Sequence, residues 1–199
     1  MTIITDEQIA YIESGGVIAY PTSTLPGLGC LPTKEGLDRL FELKSRSSDN
    51  PVSIVVASLE QVAHLVHIDA QIVEFVEAFP RGGLSVLYPA QQPLDARLGG
   101  QFVAVRVFEH PAARALAQAV GPVTATSANE AGEEPANTVA EAIFNLHHTR
   151  HTYPVVAFAM GTYGSTPAKC GTSKRPLMIH IIHIFNRVTV RLVAPSYNS

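Results

Sequence analysis

The strongest constraint on the fold is a regular alternation between short apolar runs and segments that begin with helix-capping residues. The runs at 17–20, 52–57, 84–88 and 102–108 are rich in β-branched or aromatic residues and have the length of buried strands. The intervening segments open at Thr5, Thr33, Ser58, Asp69 and Thr138, and Pro111 suits the first position of a further helix. This order predicts a layered α/β domain with helices on both faces of a sheet.

The sheet is predicted to be mixed, because 84–108 holds two strands with no convincing helix between them. The stretch 21–29 is interpreted as a glycine-containing loop. Further strands are expected at 123–126 and 155–159 and in the apolar runs at 177–185 and 188–193. Without repeats or low-complexity tracts, residues 1–199 are predicted to form a single domain.

Composition excludes several classes of protein. Of the 199 residues, 46% are hydrophobic and 16% charged, which is typical of a compact globular chain. The net charge of −3 gives no basic field for coating nucleic acid, so an anionic ligand needs a local cluster of cations. Two cysteines make no disulfide framework, and neither a signal peptide nor a membrane-spanning apolar run is found. We therefore expect a cytoplasmic protein with no membrane association.

Three polar clusters adjoin apolar runs, at 21–29, 44–51 and 124–129. In α/β proteins the ligand site lies in the crevice at the ends of strands. The middle cluster carries Lys44 and Arg46 and then hydroxyl and amide groups, which suits a phosphate. Because cations at the end of a helix also stabilise its dipole, a purely structural role is the alternative. Together the clusters favour a nucleotide-using enzyme.

Arg106 is a charged residue in an apolar strand. Period-2 alternation places it on the same face as Phe102 and Phe108. A guanidinium in such a run needs a partner, because burying an unpaired charge is costly. Two interpretations stay open: a structural salt bridge to Glu109 or Asp95, or the carboxylate or phosphate of a ligand.

Other chemistry has weaker support. Thr22, Thr24, Ser127 and Asn129 fit turns as well as a site, and no histidine stands near them at a spacing that indicates a serine nucleophile. The sequence contains neither of the glycine-rich phosphate or dinucleotide fingerprints. No metal site is predicted, since no Cys, Asp or Glu pattern completes the histidine groups His64/His67, His147/His148/His151 and His180/His183.

Four motifs in order resemble the YrdC-like family, the L-threonylcarbamoyladenylate synthases, from about residue 15 to residue 132. They are Pro21-Thr-Ser-Thr-Leu-Pro-Gly-Leu-Gly29, Lys44-x-Arg46 followed by Asn50-Pro51, Val105-Arg106 followed by His110-Pro111, and Ser127-Ala-Asn129 followed by Gly132. The resemblance implies a three-layer YrdC-like domain with a twisted mixed sheet, in the short form without an extra domain.

The resemblance also implies a reaction and roles for residues. L-Threonine, bicarbonate and ATP, with Mg²⁺ carried on ATP, would give threonylcarbamoyl-AMP and pyrophosphate for tRNA threonylcarbamoyladenosine modification. Downstream threonylcarbamoyl-transfer proteins would be partners. Lys44 and Arg46 would be catalytic and hold phosphates and carbamate, and further ATP contacts would come from Asn50, Ser127, Asn129 and Arg191. Arg106 would bind the threonine carboxylate, with Thr22, Thr24 and Ser165 also on the amino acid.

Some positions depart from the family pattern. Ser23 replaces an acidic residue, Pro26 replaces an aromatic one, and Val193 stands where a late glycine is usual. These departures leave a diverged paralogue open, acting as an RNA-binding module in rRNA or tRNA maturation with weak RNA binding. A related carbamoyl-transferase domain is the third possibility, but it would be expected with zinc-finger cysteines, which this sequence lacks.

Overall fold

The fold was analysed in a computed structural model. It describes residues 4–23, 25–79, 82, 84–129, 132–134, 136–148, 155–157, 179–184 and 187–192. Within these ranges the chain forms five α-helices, two short 3₁₀ turns and nine strands.

The helices are α1 (Asp6–Glu13), α2 (Lys34–Leu43), α3 (Ala70–Glu77), α4 (Pro111–Val120) and α5 (Val139–His148). The strands are β1 (Val17–Tyr20), β2 (Gly27–Gly29), β3 (Ser53–Val56), β4 (Ser85–Pro89), β5 (Phe102–Val107), β6 (Val123–Ser127), β7 (Val155–Ala157), β8 (Ile179–Ile184) and β9 (Arg187–Leu192). The 3₁₀ turns are Leu59–Val62 and Ala96–Leu98.

The described strands form one sheet in the order β7-β1-β2-β6-β3-β5-β4-β8-β9. The pairs β1–β7, β3–β5 and β4–β8 are parallel, and the other neighbours are antiparallel. The mixed sheet predicted from the sequence is therefore confirmed. Strand β6 lies between β2 and β3, so it brings the third polar cluster beside the first.

Two separate cores sit on the two faces of the sheet, which confirms the three-layer architecture. On one face Val17 and Ile54 pack with residues of α2, α3 and α5. On the other face Ile18 and Val55 pack with residues of α1 and α4. Successive residues of β1 and β3 alternate between the two cores because side chains in a strand point to opposite faces.

Local capping signals place most helix starts correctly. Thr5 and Gln8 form the complete reciprocal capping box at α1, and Thr33, Asp69 and Thr138 accept hydrogen bonds from backbone N–H groups at the starts of α2, α3 and α5. These bonds satisfy N–H donors that have no partner within the helix. Helix α4 begins at Pro111, as predicted.

The structure corrects three predictions. The segment after Ser58 is only a 3₁₀ turn without a side-chain cap, and the Gln61 side chain accepts from the Ala57 N–H at 2.7 Å. Helix α3 ends at Glu77, two residues before Phe79. The stretch 21–29 is not all loop, since Gly27–Gly29 is strand β2.

Candidate active site

A cavity of about 220 Å³ opens on the face of the sheet that α1 and α4 cover. It gathers residues from strands that are far apart in the sequence. Its polar and charged lining includes Ser53 from β3, Arg106 from β5, and Thr126 and Ser127 from β6. Thr22 and Ser23, which follow β1, line it as well. The first and third polar clusters thus meet around Arg106.

Strand β2 fits beside this cavity because its two glycines have no side chains. A Cβ on Gly29 would lie 2.1 Å from the Thr124 carbonyl oxygen, and one on Gly27 would lie 2.5 Å from the Tyr20 ring. The hydroxyl of Tyr20 donates to the same Thr124 carbonyl at 3.0 Å. The Gly-Leu-Gly part of the first cluster therefore permits the close approach of β1, β2 and β6.

Arg106 is a half-buried cation that lines the cavity and forms no hydrogen bond or ion pair with the described part of the chain. Its pairing with Asp95, one of the two structural alternatives, is wrong: Asp95 binds Arg97 at 2.7 Å. Burial lowers the pKa of Arg106, and its electrostatic interactions with Tyr20 and Glu109 act in the opposite direction. A guanidinium without a direct partner at a cavity wall is suited to bind an anionic ligand.

Glu109 and His110 line the same cavity, in the turn between β5 and α4. His110 is the N-cap of α4, and its Nδ1 accepts from the Ala112 N–H at 3.2 Å. Burial lowers the pKa of His110, while the negative charge of Glu109 opposes that shift. At neutral pH His110 is therefore mainly the neutral imidazole that this cap requires.

Lys44 lies apart from the cavity wall, with 1% of its surface exposed. Its Nζ donates to the Ser127 carbonyl at 2.6 Å, to the Asn129 carbonyl, and at 3.5 Å to the Asn129 side-chain oxygen. The Ala128 N–H between them donates to the Pro26 carbonyl at 3.0 Å. Lys44 thus connects the end of α2 to the loop that follows β6.

Arg46 connects the second and third clusters. Its Nε donates to the Asn50 carbonyl at 2.7 Å, and its Nη1 lies 3.5 Å from the Thr126 hydroxyl. Burial lowers its pKa. Between the two cations Ser45 has a φ of 48°, and the N–H groups of Ser45 and Arg46 bond to carbonyls in the last turn of α2. This Schellman-type helix end directs Lys44 and Arg46 toward two different parts of β6 and its loop.

The structure brings together only part of the residue set predicted from the sequence. Thr22, Arg106 and Ser127 line the cavity, and Lys44, Arg46, Asn50 and Asn129 form the adjoining network. The Thr22 hydroxyl also donates to the Leu25 carbonyl at 2.6 Å, as in a turn. Thr24, Ser165 and the side chain of Arg191 lie outside the described residues.

Several cavity residues were missed as site residues in the sequence, namely Tyr20, Ser53, Glu109 and His110. A sequence signal exists for two of them, because Glu109 and His110 directly follow the predicted strand at 102–108, in which the charge of Arg106 is unexplained. Tyr20 and Ser53 give no such signal, because only the pairing order of the sheet brings them to the cavity.

A second, larger cavity of about 590 Å³ lies on the opposite face, between the 3₁₀ turn at Leu59–Val62 and α3. Its lining is mostly apolar, with Glu60 and Glu77 as the acidic residues. Among the described residues, no three His, Cys, Asp or Glu side chains lie close enough to hold a metal ion. None of the described helices is long and apolar enough to cross a membrane.

Comparison with known proteins identifies the family. The model of the Sua5/YciO/YrdC family, described as "Telomere recombination", matches residues 10–153. The chain belongs to this family. The matched region contains all four motifs and every described residue that lines the 220 Å³ cavity.

Two curated relatives show how similar the chain is to proteins named threonylcarbamoyl-AMP synthase. The threonylcarbamoyl-AMP synthase of Marinobacter nauticus is 41% identical over 135 residues, which are 64% of this chain and 70% of that protein. The threonylcarbamoyl-AMP synthase of Aliivibrio fischeri is 34% identical over 145 residues, which are 69% and 78% of the two chains.

Solved structures of the family share the fold. P. abyssi Sua5, crystallised with L-threonine, superposes with a TM-score of 0.71 at 25% identity, over 90% of this chain and 52% of that one. This chain thus spans about half the length of the P. abyssi protein. E. coli YciO has a TM-score of 0.70 at 19% identity, over 94% and 86% of the two chains, and supports the fold alone.

Proposed function

We propose that the chain is an L-threonylcarbamoyladenylate synthase, a nucleotidyltransferase that uses L-threonine, bicarbonate and ATP. Its products are threonylcarbamoyl-AMP and pyrophosphate, for the threonylcarbamoyladenosine modification of tRNA. The observation that carries the proposal is Arg106, a half-buried guanidinium without a direct partner in the described part of the chain, in a cavity lined by residues of three of the four motifs. Curated relatives named threonylcarbamoyl-AMP synthase support it.

In this proposal Arg106 binds the carboxylate of the amino acid through its planar fork. Thr22, Thr24 and Ser165 also belong to the amino-acid end. The α-ammonium group loses a proton to solvent, and the neutral amine adds to carbon dioxide, which forms from bicarbonate with loss of hydroxide. Loss of a second N–H proton gives a carbamate, whose oxygen attacks the α-phosphate of ATP. The new O–P bond forms as the bond from the α-phosphorus to pyrophosphate breaks, so the enzyme needs no covalent intermediate.

In this proposal ATP is bound by the network beside the cavity, which is formed by Lys44, Arg46, Asn50 and Asn129. Arg46 offsets charge that develops on the phosphates during transfer, and Asn50, Ser127, Asn129 and Arg191 contact the nucleotide. Since the Lys44 ammonium already donates to the loop carbonyls, its contribution is to hold that loop in place while it adds positive charge nearby. Mg²⁺ carried on ATP would neutralise part of the phosphate charge.

The proposed reaction also implies which proteins receive the product and where in the cell the enzyme acts. Threonylcarbamoyl-AMP passes to proteins that transfer the threonylcarbamoyl group to tRNA, in the cytoplasm, where ATP and tRNA are available. The RNA-binding alternative is not favoured, because the net charge is −3 and the curated relatives compared above are synthases.

The test is pyrophosphate release from ATP and bicarbonate, with and without L-threonine. We expect threonine-dependent release that Arg106→Ala lowers about 10- to 100-fold in kcat/KM, the range expected for one charged hydrogen-bonded contact. Lys34→Ala, on the exposed side of α2, is the matched control and should behave like the wild type. Folded protein that binds ATP but releases no pyrophosphate with threonine would contradict the proposal.

A further inference from the structure

Glu109 is a charged residue of the cavity to which the reaction described above gives no role. It is exposed, lines the same cavity as Arg106, and follows Arg106 by three residues at the turn into α4. Its carboxylate forms no hydrogen bond or ion pair with any described residue. The cavity thus presents one cation and one anion that have no direct partner in this part of the chain.

The two charges are near one another but not paired. The guanidinium nitrogens of Arg106 lie farther than 4.0 Å, the limit for an ion pair, from the carboxylate oxygens of Glu109. The negative charge of Glu109 nevertheless acts on Arg106 and on His110, where it opposes the lowering of each pKa by burial. Both side chains line the cavity, with the cation on strand β5 and the anion at the more exposed turn into α4.

Gly82 restricts the position of the Glu109 side chain. A Cβ on Gly82 would lie 2.8 Å from the Glu109 Cβ and 3.4 Å from its Oε2, and Gly82 has a φ of 74°. A residue with a side chain would be strained there and would displace Glu109. Glycine at this position leaves Glu109 packed against the backbone at the cavity wall.

We propose that Glu109 binds the α-ammonium group of the amino-acid substrate while Arg106 binds its carboxylate. This inference rests on the proposed function and adds a specificity residue to it. A zwitterionic α-amino acid matches both charges of the cavity, whereas a carboxylate beside the phosphates of ATP would repel them. Glu109 therefore marks the amino-acid end of the cavity and selects substrates that carry an α-ammonium group, which loses a proton before it reacts.

The test compares Glu109→Gln with the wild type in threonine-dependent pyrophosphate release. Glutamine keeps the shape of the side chain and removes its charge. We expect the KM for L-threonine to rise about tenfold, the effect of losing one charged contact at a partly exposed site, while the KM for ATP stays unchanged. Glu74→Gln, an exposed carboxylate on α3 that lines neither cavity, is the matched control.

A ligand without the amino group separates recognition from a general structural effect. 3-Hydroxybutyrate, which is threonine without its amino group, is used as a competitive inhibitor. Its inhibition constant should be the same for the wild type and Glu109→Gln, and Glu109→Asp should retain most of the wild-type affinity for threonine.

Three outcomes overturn the assignment, and they are distinguishable. An unchanged KM for threonine, or an equal weakening of threonine, ATP and 3-hydroxybutyrate, contradicts the role of Glu109 and leaves the synthase proposal standing. Absence of threonine-dependent release from the wild type contradicts the proposed function, and the role of Glu109 with it.

Discussion

Two fully buried tyrosines differ in the hydrogen bonding of their hydroxyl groups. Tyr20 donates to the Thr124 carbonyl at 3.0 Å. The Tyr88 hydroxyl, on β4, has no hydrogen-bond partner within the described residues. Burial raises the pKa of Tyr88 to about 12, so this group stays protonated and needs an acceptor. A buried polar group without a partner costs about 1–3 kcal/mol of desolvation.

Replacing each of the two tyrosines by phenylalanine should change the free energy of unfolding differently. Tyr20→Phe should lower the free energy of unfolding by about 1 kcal/mol, because it leaves the Thr124 carbonyl without that donor. Tyr88→Phe should leave stability unchanged or raise it by up to about 1 kcal/mol, because it removes a hydroxyl that has no hydrogen-bond partner among the described residues. Urea denaturation of both variants is the measurement. A loss for Tyr88→Phe as large as that for Tyr20→Phe would show that the Tyr88 hydroxyl is bonded in solution.

Single residues were predictable where a local rule applied to them. Alternation along β5 placed Arg106 on one face of a strand, and the cost of burying its charge indicated a ligand or a salt bridge. The rest of its surroundings was not predictable. Asp95 was one possible partner, yet it pairs with Arg97, and the placement of Tyr20 and Ser53 at the cavity depends on strand order.

At the scale of elements, the end of α2 determines how the second cluster is used. Ser45 adopts the left-handed conformation that usually falls to glycine at a helix end, so Lys44 and Arg46 diverge. Lys44 then holds the loop after β6, and Arg46 holds the segment before β3. Strand β3 borders the cavity through Ser53, and strand β6 borders it through Ser127. The end of α2 is therefore coupled to the cavity wall.

Replacing Lys44 tests that coupling. Lys44→Met keeps the apolar stem and removes the donors to Ser127 and Asn129. We expect a loss of about 3 kcal/mol in the free energy of unfolding, since charged hydrogen bonds contribute about 1.5–3 kcal/mol each and are not additive. The KM for ATP should rise as well, because the loop loses its support. Unchanged stability with a higher KM for ATP would instead indicate a direct phosphate contact.

Most helices with a local capping signal were predicted well, the segment after Ser58 being the exception, and strand β2, which has no such signal, was missed. Thr5 and Thr33 each satisfy an N–H within three residues, so a helix start can be identified from a short sequence window. Strand β2 cannot be identified from a short sequence window, because Gly27 and Gly29 have low strand propensity. It forms because β1 and β6 approach closely on either side, and both partners are outside its local sequence.

At the scale of the whole molecule, a charged network ties α2 to the turn before β5. Arg97 binds Asp95 and Asp38 at 2.7 Å each, and the Val52 N–H donates to the Arg97 carbonyl at 2.8 Å. The hydrogen bonds from Arg97 lower the pKa of Asp95. The stabilisation from this carboxylate is therefore present above its unfolded-state pKa and is lost as the pH falls through the lower folded-state pKa.

Asp95→Asn should reveal this dependence. Asparagine retains the capping oxygen and loses the charge, so we expect the variant to be less stable than the wild type at pH 7 by about 0.5–1 kcal/mol. The difference should stay constant down to about pH 4 and shrink below it. Thermal denaturation across this range is the measurement. The control is Asp69→Asn, at a helix cap that has no ion pair among the described residues. A pH-independent difference in stability between Asp95→Asn and the wild type would contradict the prediction.

The position of β6 between β2 and β3 has a consequence for how the protein is made. Gly27 pairs with Ser127, one hundred residues later in the chain, and β2 and β3 are not bonded to each other. Closing so long a loop carries an entropy cost before the pairing repays it, and such non-local contacts slow folding. On the ribosome, the segment through β5 has no complete cavity. Substrate binding begins only after β6 has emerged and inserted, so the nascent enzyme gains its site late.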